Sequence, residues 1–179
     1  MSDDGLLSSD RVAKLREAFD RSFAEARPPD SPASETLLAI RVGAEPYALR
    51  LSQIAGLFAD RKITPLPGGA PALLGIAGFR GTIVPVYDLP QLIGHRPEET
   101  VRWLAMAAGE TVAVAFAVLE GHLRVALDAI VPHEGDVHPR RHVRDFAHTS
   151  ELVRPIVHLP SVVDAVRRLA RAKLNTEGR

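Results

Sequence analysis

The side chains of this chain that could do chemistry are its histidines and arginines, and their spacing decides which chemistry is open to them. His133, His138, His142 and His148 crowd one segment, together with Arg140, Arg141 and Arg144. A metal centre would need three or four ligands converging on one point. Pro139 keeps His138 and His142 off a common helix face, and no H-E-x-x-H motif accompanies them. The segment therefore reads as a solvated loop, with a contact to an anionic partner surface as the sharper alternative. Covalent catalysis fares no better. Cysteine is absent, which removes thiolate nucleophiles, thiolate ligands and disulfides together. No G-x-S-x-G elbow occurs, and the run from Gly68 to Gly75 lacks the Lys and Ser or Thr that complete a phosphate loop. The lysines are Lys14, Lys62 and Lys173, none in a setting that would lower its pKa. No metal, cofactor or reaction is expected.

The charge balance narrows the partners. Lys plus Arg equals Asp plus Glu, 22 against 22, so no global field favours nucleic acid or an anionic membrane. The acidic start, Met1 to Gly5, lacks the basic and apolar regions of a secretory leader, and no apolar run of about 18 residues is present to span a bilayer. Membrane association is expected only through a partner. With 46% hydrophobic residues in 179, one domain with a full core fits the chain.

The elements that would position any site change character along the chain. Val12, Leu15, Phe19 and Phe23 give an amphipathic helix from Ser9 to Ala26, stopped by the prolines at 28, 29 and 32. From Thr36 the pattern turns to short β-rich runs. Thr36 to Val42 and Tyr47 to Leu51 flank the turn Gly43-Ala44-Glu45-Pro46, and Leu51 to Phe58 reads as helical or irregular. Gly81 to Leu89 alternates as a strand, with Pro85 expected at an edge or bulge. Further strands are expected at Arg102–Ala107, Thr111–Leu119 and His122–Leu127, with turns at Gly109-Glu110 and Glu120-Gly121. Residues 132 to 150 read as irregular, Leu152–Leu159 as a strand, and Ser161 as the cap of a last helix with Asp164 at its third position.

Pro85-Val86-Tyr87-Asp88-Leu89-Pro90 is echoed by Pro155-Ile156-Val157-His158-Leu159-Pro160, each leading into an apolar pair. The echo implies a duplicated unit in which a strand runs into a helix. Two such units would bury apolar faces on each other and leave a groove between them.

The stretch from Gly75 to Leu89, G-I-A-G-F-R-G-T-I-V-P-V-Y-D-L, resembles the hallmark of CheW-like domains, G-x-x-N-L-R-G-x-I-x-P-V-x-D-L. Leu38–Leu49 is similar to that family's first hairpin, Ile63–Pro67 to the segment before the hallmark, Val112–Gly121 to a later strand and Arg154–Leu159 to the closing strand. The ordered set runs from about Thr36 to Leu169. The resemblance implies an all-β, CheW-like fold: two SH3-like five-stranded barrels side by side in residues 35–175, with residues 1–34 an N-terminal helix and linker and a further helix at the C-terminus. It implies a non-catalytic adaptor of chemotaxis or a related motility pathway, with no cofactor. That adaptor would be cytoplasmic, binding a CheA-type histidine kinase and the cytoplasmic tip of a methyl-accepting chemoreceptor.

By position, Arg80 is the motif arginine that the family uses for receptor binding, and Gly78, Phe79 and Gly81 beside it are expected to share in partner binding. Ile54 falls on the receptor-facing wall, while Pro85 and Asp88 are structural, Asp88 as cap of the following helix. Four departures stand out. The family's Asn and Leu before the arginine are Gly78 and Phe79. The acidic residue that often pairs with the arginine falls near Gly56. The Asp of the later strand is Ala117, and the closing Asp is His158. These departures leave room for a regulator that binds only kinase or only receptor. A ligand-binding barrel is the alternative from another class.

Overall fold

The computed structural model describes residues 33–67, 70–97, 100–133 and 141–177, with side chains through residue 172. The N-terminal helix and linker, and His138, lie outside the described residues. The fold is mainly β. A five-stranded sheet takes β3 (Ile54–Ala59), β4 (Leu73–Phe79), β5 (Thr82–Asp88), β6 (Trp103–Ala107) and β7 (Ala113–Phe116) in the order β3-β6-β7-β5-β4. A six-stranded sheet takes β1 (Ser34–Val42), β2 (Glu45–Arg50), β8 (Val118–Ala126), β9 (Ile130–Pro132), β10 (Val143–His148) and β11 (Val153–Val157) in the order β8-β1-β2-β11-β10-β9. Helix α1 (Leu89–Leu92) follows β5, and α2 (Leu159–Glu177) follows β11.

The two sheets are one plan used twice. Strands β3, β6, β7, β5 and β4 correspond in order to β8, β1, β2, β11 and β10, so the N-terminal hairpin completes the unit begun by β8. The register agrees residue by residue. Val86 and Tyr87 pair in parallel with Ala113 and Val114, as Ile156 and Val157 pair with Ala48 and Leu49. Ile76 faces Pro85 as Phe146 faces Pro155. Even β9 has a counterpart, the Thr64–Ile76 bridge of the other sheet.

Burial on both faces explains the continuous apolar runs at Leu37–Ile40 and Val112–Phe116. One side of each inner strand faces its own sheet's interior, where Ala77, Ala113 and Ala115 stand among Val84, Val86 and Leu104 in one sheet, and Ala48 and Ala147 among Leu37, Val125 and Ile156 in the other. The opposite side carries Leu38, Ile40, Leu49, Val114 and Phe116 into a core shared by both sheets and both helices. The alanines among the inward-facing residues leave room for each sheet to curl. The large side chains between the sheets fasten the two units together, each buried Leu or Phe contributing about 1.5–3 kcal/mol. In the five-stranded sheet the edges β3 and β4 meet through Phe58 and Phe79, whose ring centroids lie 4.7 Å apart. Side-chain packing, rather than a hydrogen-bonded ladder, brings these edges together.

Five local expectations change. Of Leu51–Phe58, expected to be helical or irregular, only Leu51–Gln53 is a helical turn, and Ile54–Phe58 lies in β3, where pairing with β6 holds it extended. Glu120-Gly121 is not a turn but a bulge inside β8, where Ala39 pairs with Gly121 and Ile40 with Leu119; the break falls at Ala117 instead. Within the stretch expected to be irregular, Val143–His148 is a strand, held between β9 and β11. The last helix starts at Leu159, so His158 rather than Ser161 takes the capping position. Pro85 lies in an interior strand, yet its missing N–H is not needed. The amide and carbonyl of Ile76 opposite it are both bonded to Thr64, and pairing with β7 starts only at Val86.

Candidate partner-docking face

The hallmark segment forms the β4–β5 hairpin, and its two-residue turn is Arg80-Gly81. Both residues have positive φ, +47° and +85°, the requirement of a type I′ turn that matches strand twist. Glycine meets that requirement at no steric cost, but an arginine is strained there by about 1–2 kcal/mol. Asn or Gly would suit position 80 better. Arg80 is exposed and forms no ion pair among the described residues. The strained, solvated guanidinium at the hairpin tip adds no ion pair to the fold among the described residues. It is available to a carboxylate on another molecule.

The neighbours divide by role. Gly78 is exposed and pairs across the hairpin with Ile83, which is 69% exposed. A Cβ at Gly78 would have nothing within 4 Å, so the glycine leaves the flank of Ile83 open. Ile83 was not among the site residues expected from sequence, although its place in the alternation of β5 marks it as outward-facing. Phe79 is only 3% exposed, so its ring cannot be contact surface as expected. It packs on Phe58 and props the turn from inside. Asp88 is buried, and its Oδ1 accepts a hydrogen bond from Gln91 N at 3.1 Å, capping α1.

Ile54 belongs to the same sheet but to another part of it. It is half-buried opposite Ala107, against the shared core, four residues along β3 from Phe58. That spacing corresponds to about 13 Å of strand. Beside it lies a hollow of about 300 Å³ lined by Ser52, Gln53, Ala107, Glu110, Pro160 and Val163. Gly56, where the family's acidic residue falls, has the Phe58 ring 2.8 Å from where a Cβ would sit. Two departures, Gly56 and Phe79, thus meet at one phenyl ring.

The CheW-like domain pattern matches residues 36–167. The chain belongs to the CheW-like domain family. CheW-like proteins are adaptors and scaffolds of chemotaxis that act through protein–protein contacts. The fold is similar to the crystal structure of the scaffolding protein TtCheW from Thermoanaerobacter tengcongensis, with a TM-score of 0.63 at 20% identity, covering 72% of this chain and 90% of that one. No curated protein matches the sequence. Among the described residues of this CheW-like chain, no helix is long and apolar enough to cross a membrane.

Proposed function

We propose that this protein is an adaptor that holds the cytoplasmic tip of a methyl-accepting chemoreceptor against a CheA-type histidine kinase. A conformational bias in the receptor then reaches the kinase through contact geometry. The reading is carried by Arg80, a solvated cation kept at a strained turn position beside an exposed isoleucine. On this reading residues 35–175 are the docking body and residues 1–34 an appendage. The protein works without cofactor or reaction, in the cytoplasm, and joins receptor arrays through its partners, with motility as the output. Arg80, Gly78 and Gly81 meet the receptor on this account, Phe79 shapes their turn, and Ile54 supplies a second apolar contact. Pull-down with a kinase regulatory domain and with a receptor tip tests it, and capture of both is expected.

One observation favours a second reading. At Gly56 the Phe58 ring fills the space in which a carboxylate side chain would stand. A CheW-like regulator that binds one partner and uncouples it from the other is consistent with that loss. Capture of kinase alone or receptor alone would select it.

A further inference from the structure

We propose that His158 is a proton-operated latch on α2: neutral, it caps the helix, and protonated, it releases the first turn. The position is set by the repeat. Asp88 N donates to Ala72 O and His158 N to His142 O, both at 2.8 Å. Asp88 Oδ1 then accepts Gln91 N at 3.1 Å, and His158 Nδ1 accepts Ser161 N at 3.2 Å. One plan therefore carries a carboxylate cap on α1 and an imidazole cap on α2. A carboxylate still accepts in mildly acidic solution, whereas Nδ1 accepts only while it lacks a proton.

The surrounding bonds fix the tautomers. Ser161 Oγ donates to His158 O at 2.8 Å, so it accepts from His142 Nδ1 at 3.0 Å. His158 therefore carries its proton on Nε2 and His142 on Nδ1. Ser161 N also reaches the His158 carbonyl at 3.1 Å, and Leu159 N donates to Gln53 Oε1 at 3.1 Å. These partners keep the turn partly held once the imidazole is lost.

The charges oppose protonation. His158 faces Arg144 of β10 and Arg50 of β2, against Asp145 of β10 and Asp164 of α2. His142 faces Arg168 of α2, then Arg141, Arg144 and His158. Burial first, and these cations second, hold both imidazoles below their ordinary value of 6.5. The positive end of the helix dipole acts in the same direction. A proton that is disfavoured while α2 is docked disfavours docking once it binds. The latch is fully closed above 6.5 and opens as pH falls from there through the lower folded-state values. Pro160 and Val163 of α2 line the hollow near Ile54, so an open latch would alter that wall; this consequence rests on the proposed docking function, and the latch does not.

Hydrogen exchange on the intact protein tests it without any partner. Protection of the Ser161–Val166 amides, corrected for intrinsic rates, should fall about fivefold between about pH 7.5 and about pH 5.5. H158N keeps a capping oxygen that does not titrate and should be flat; if it does not fold, H158D takes its place. Flat exchange in the native protein would overturn the latch. So would a dependence that persists in the capped variant, or one that disappears in H142N alone.

Discussion

Arg154 of β11 and Glu120 of β8 lie 2.7 Å apart although β1 and β2 stand between their strands in the sheet order. The pair closes across the curl of the six-stranded sheet. The bulge at Gly121 places the carboxylate, and Arg41 of β1 donates to it from the other side through Nε at 2.8 Å. Burial works against ionisation of Glu120, but Arg154 and Arg41 outweigh it and hold the carboxyl below its ordinary 4.5. Glu120→Gln leaves the buried Arg154 without its counter-charge and should cost about 2 kcal/mol. Because the folded pKa is lowered, this contribution is present above 4.5 and lost as pH falls through the folded value. Denaturant midpoints of the two proteins should therefore differ near neutrality and converge in acid. A constant gap would show that the carboxylate charge is not the cause.

Gly75 occupies the bulge opposite Val86 at φ +147°, and a Cβ there would lie 2.2 Å from the carbonyl oxygen of Thr64. Backbone, not a flexible side chain, fills that space. Gly75→Ala should destabilise by about 3 kcal/mol through overpacking and strain together. A thermal or urea melt reads this, and a melt unchanged from the native one would contradict the close approach.

Phe79 replaces the leucine of the family hallmark and reaches from β4 to Phe58 on β3, the other edge of the five-stranded sheet. Phe79→Ala should cost about 3–5 kcal/mol by opening a cavity between β3 and β4. Phe79→Leu should cost about 1 kcal/mol, in keeping with retained apolar contact. If both variants melt like the native protein, the ring contact does not hold the edges together.

How much of this was legible in the sequence depended on whether a feature is local. The strands showed themselves as alternation or as two-faced apolar runs, and the β5–α1 and β11–α2 echo was visible as matched letters because both copies meet the same packing demands. The crossing of the N-terminal hairpin into the distal unit was not legible, since nothing in Leu37–Leu49 says whether its partner is β3 or β8. Glu120-Gly121 misled because a glycine at a bulge and a glycine at a turn are the same letter. At the candidate site, Arg80 and Gly81 were found by motif. The motif places Phe79 beside Arg80 but does not encode that this hairpin residue faces inward. Ile83 is not legible as a site residue, because an exposed isoleucine becomes notable only with Gly78 beside it.

Position 80 separates stability from binding. Arg80→Asn relieves the left-handed strain and should leave stability unchanged or raise it by about 1 kcal/mol. The same substitution removes the guanidinium. Equilibrium unfolding should show a protein at least as stable as the native one; clear destabilisation would mean that Arg80 supports the fold after all.

The most direct test of the account is the affinity of the folded protein for a receptor tip and for a kinase regulatory domain, measured by calorimetry for native protein and Arg80→Glu. The account predicts that the native protein binds both partners at once. It also predicts that the variant, melting normally, keeps the kinase and loses at least about tenfold in receptor affinity. Unchanged receptor binding by a well-folded Arg80→Glu, or a native protein that binds neither partner, would contradict it.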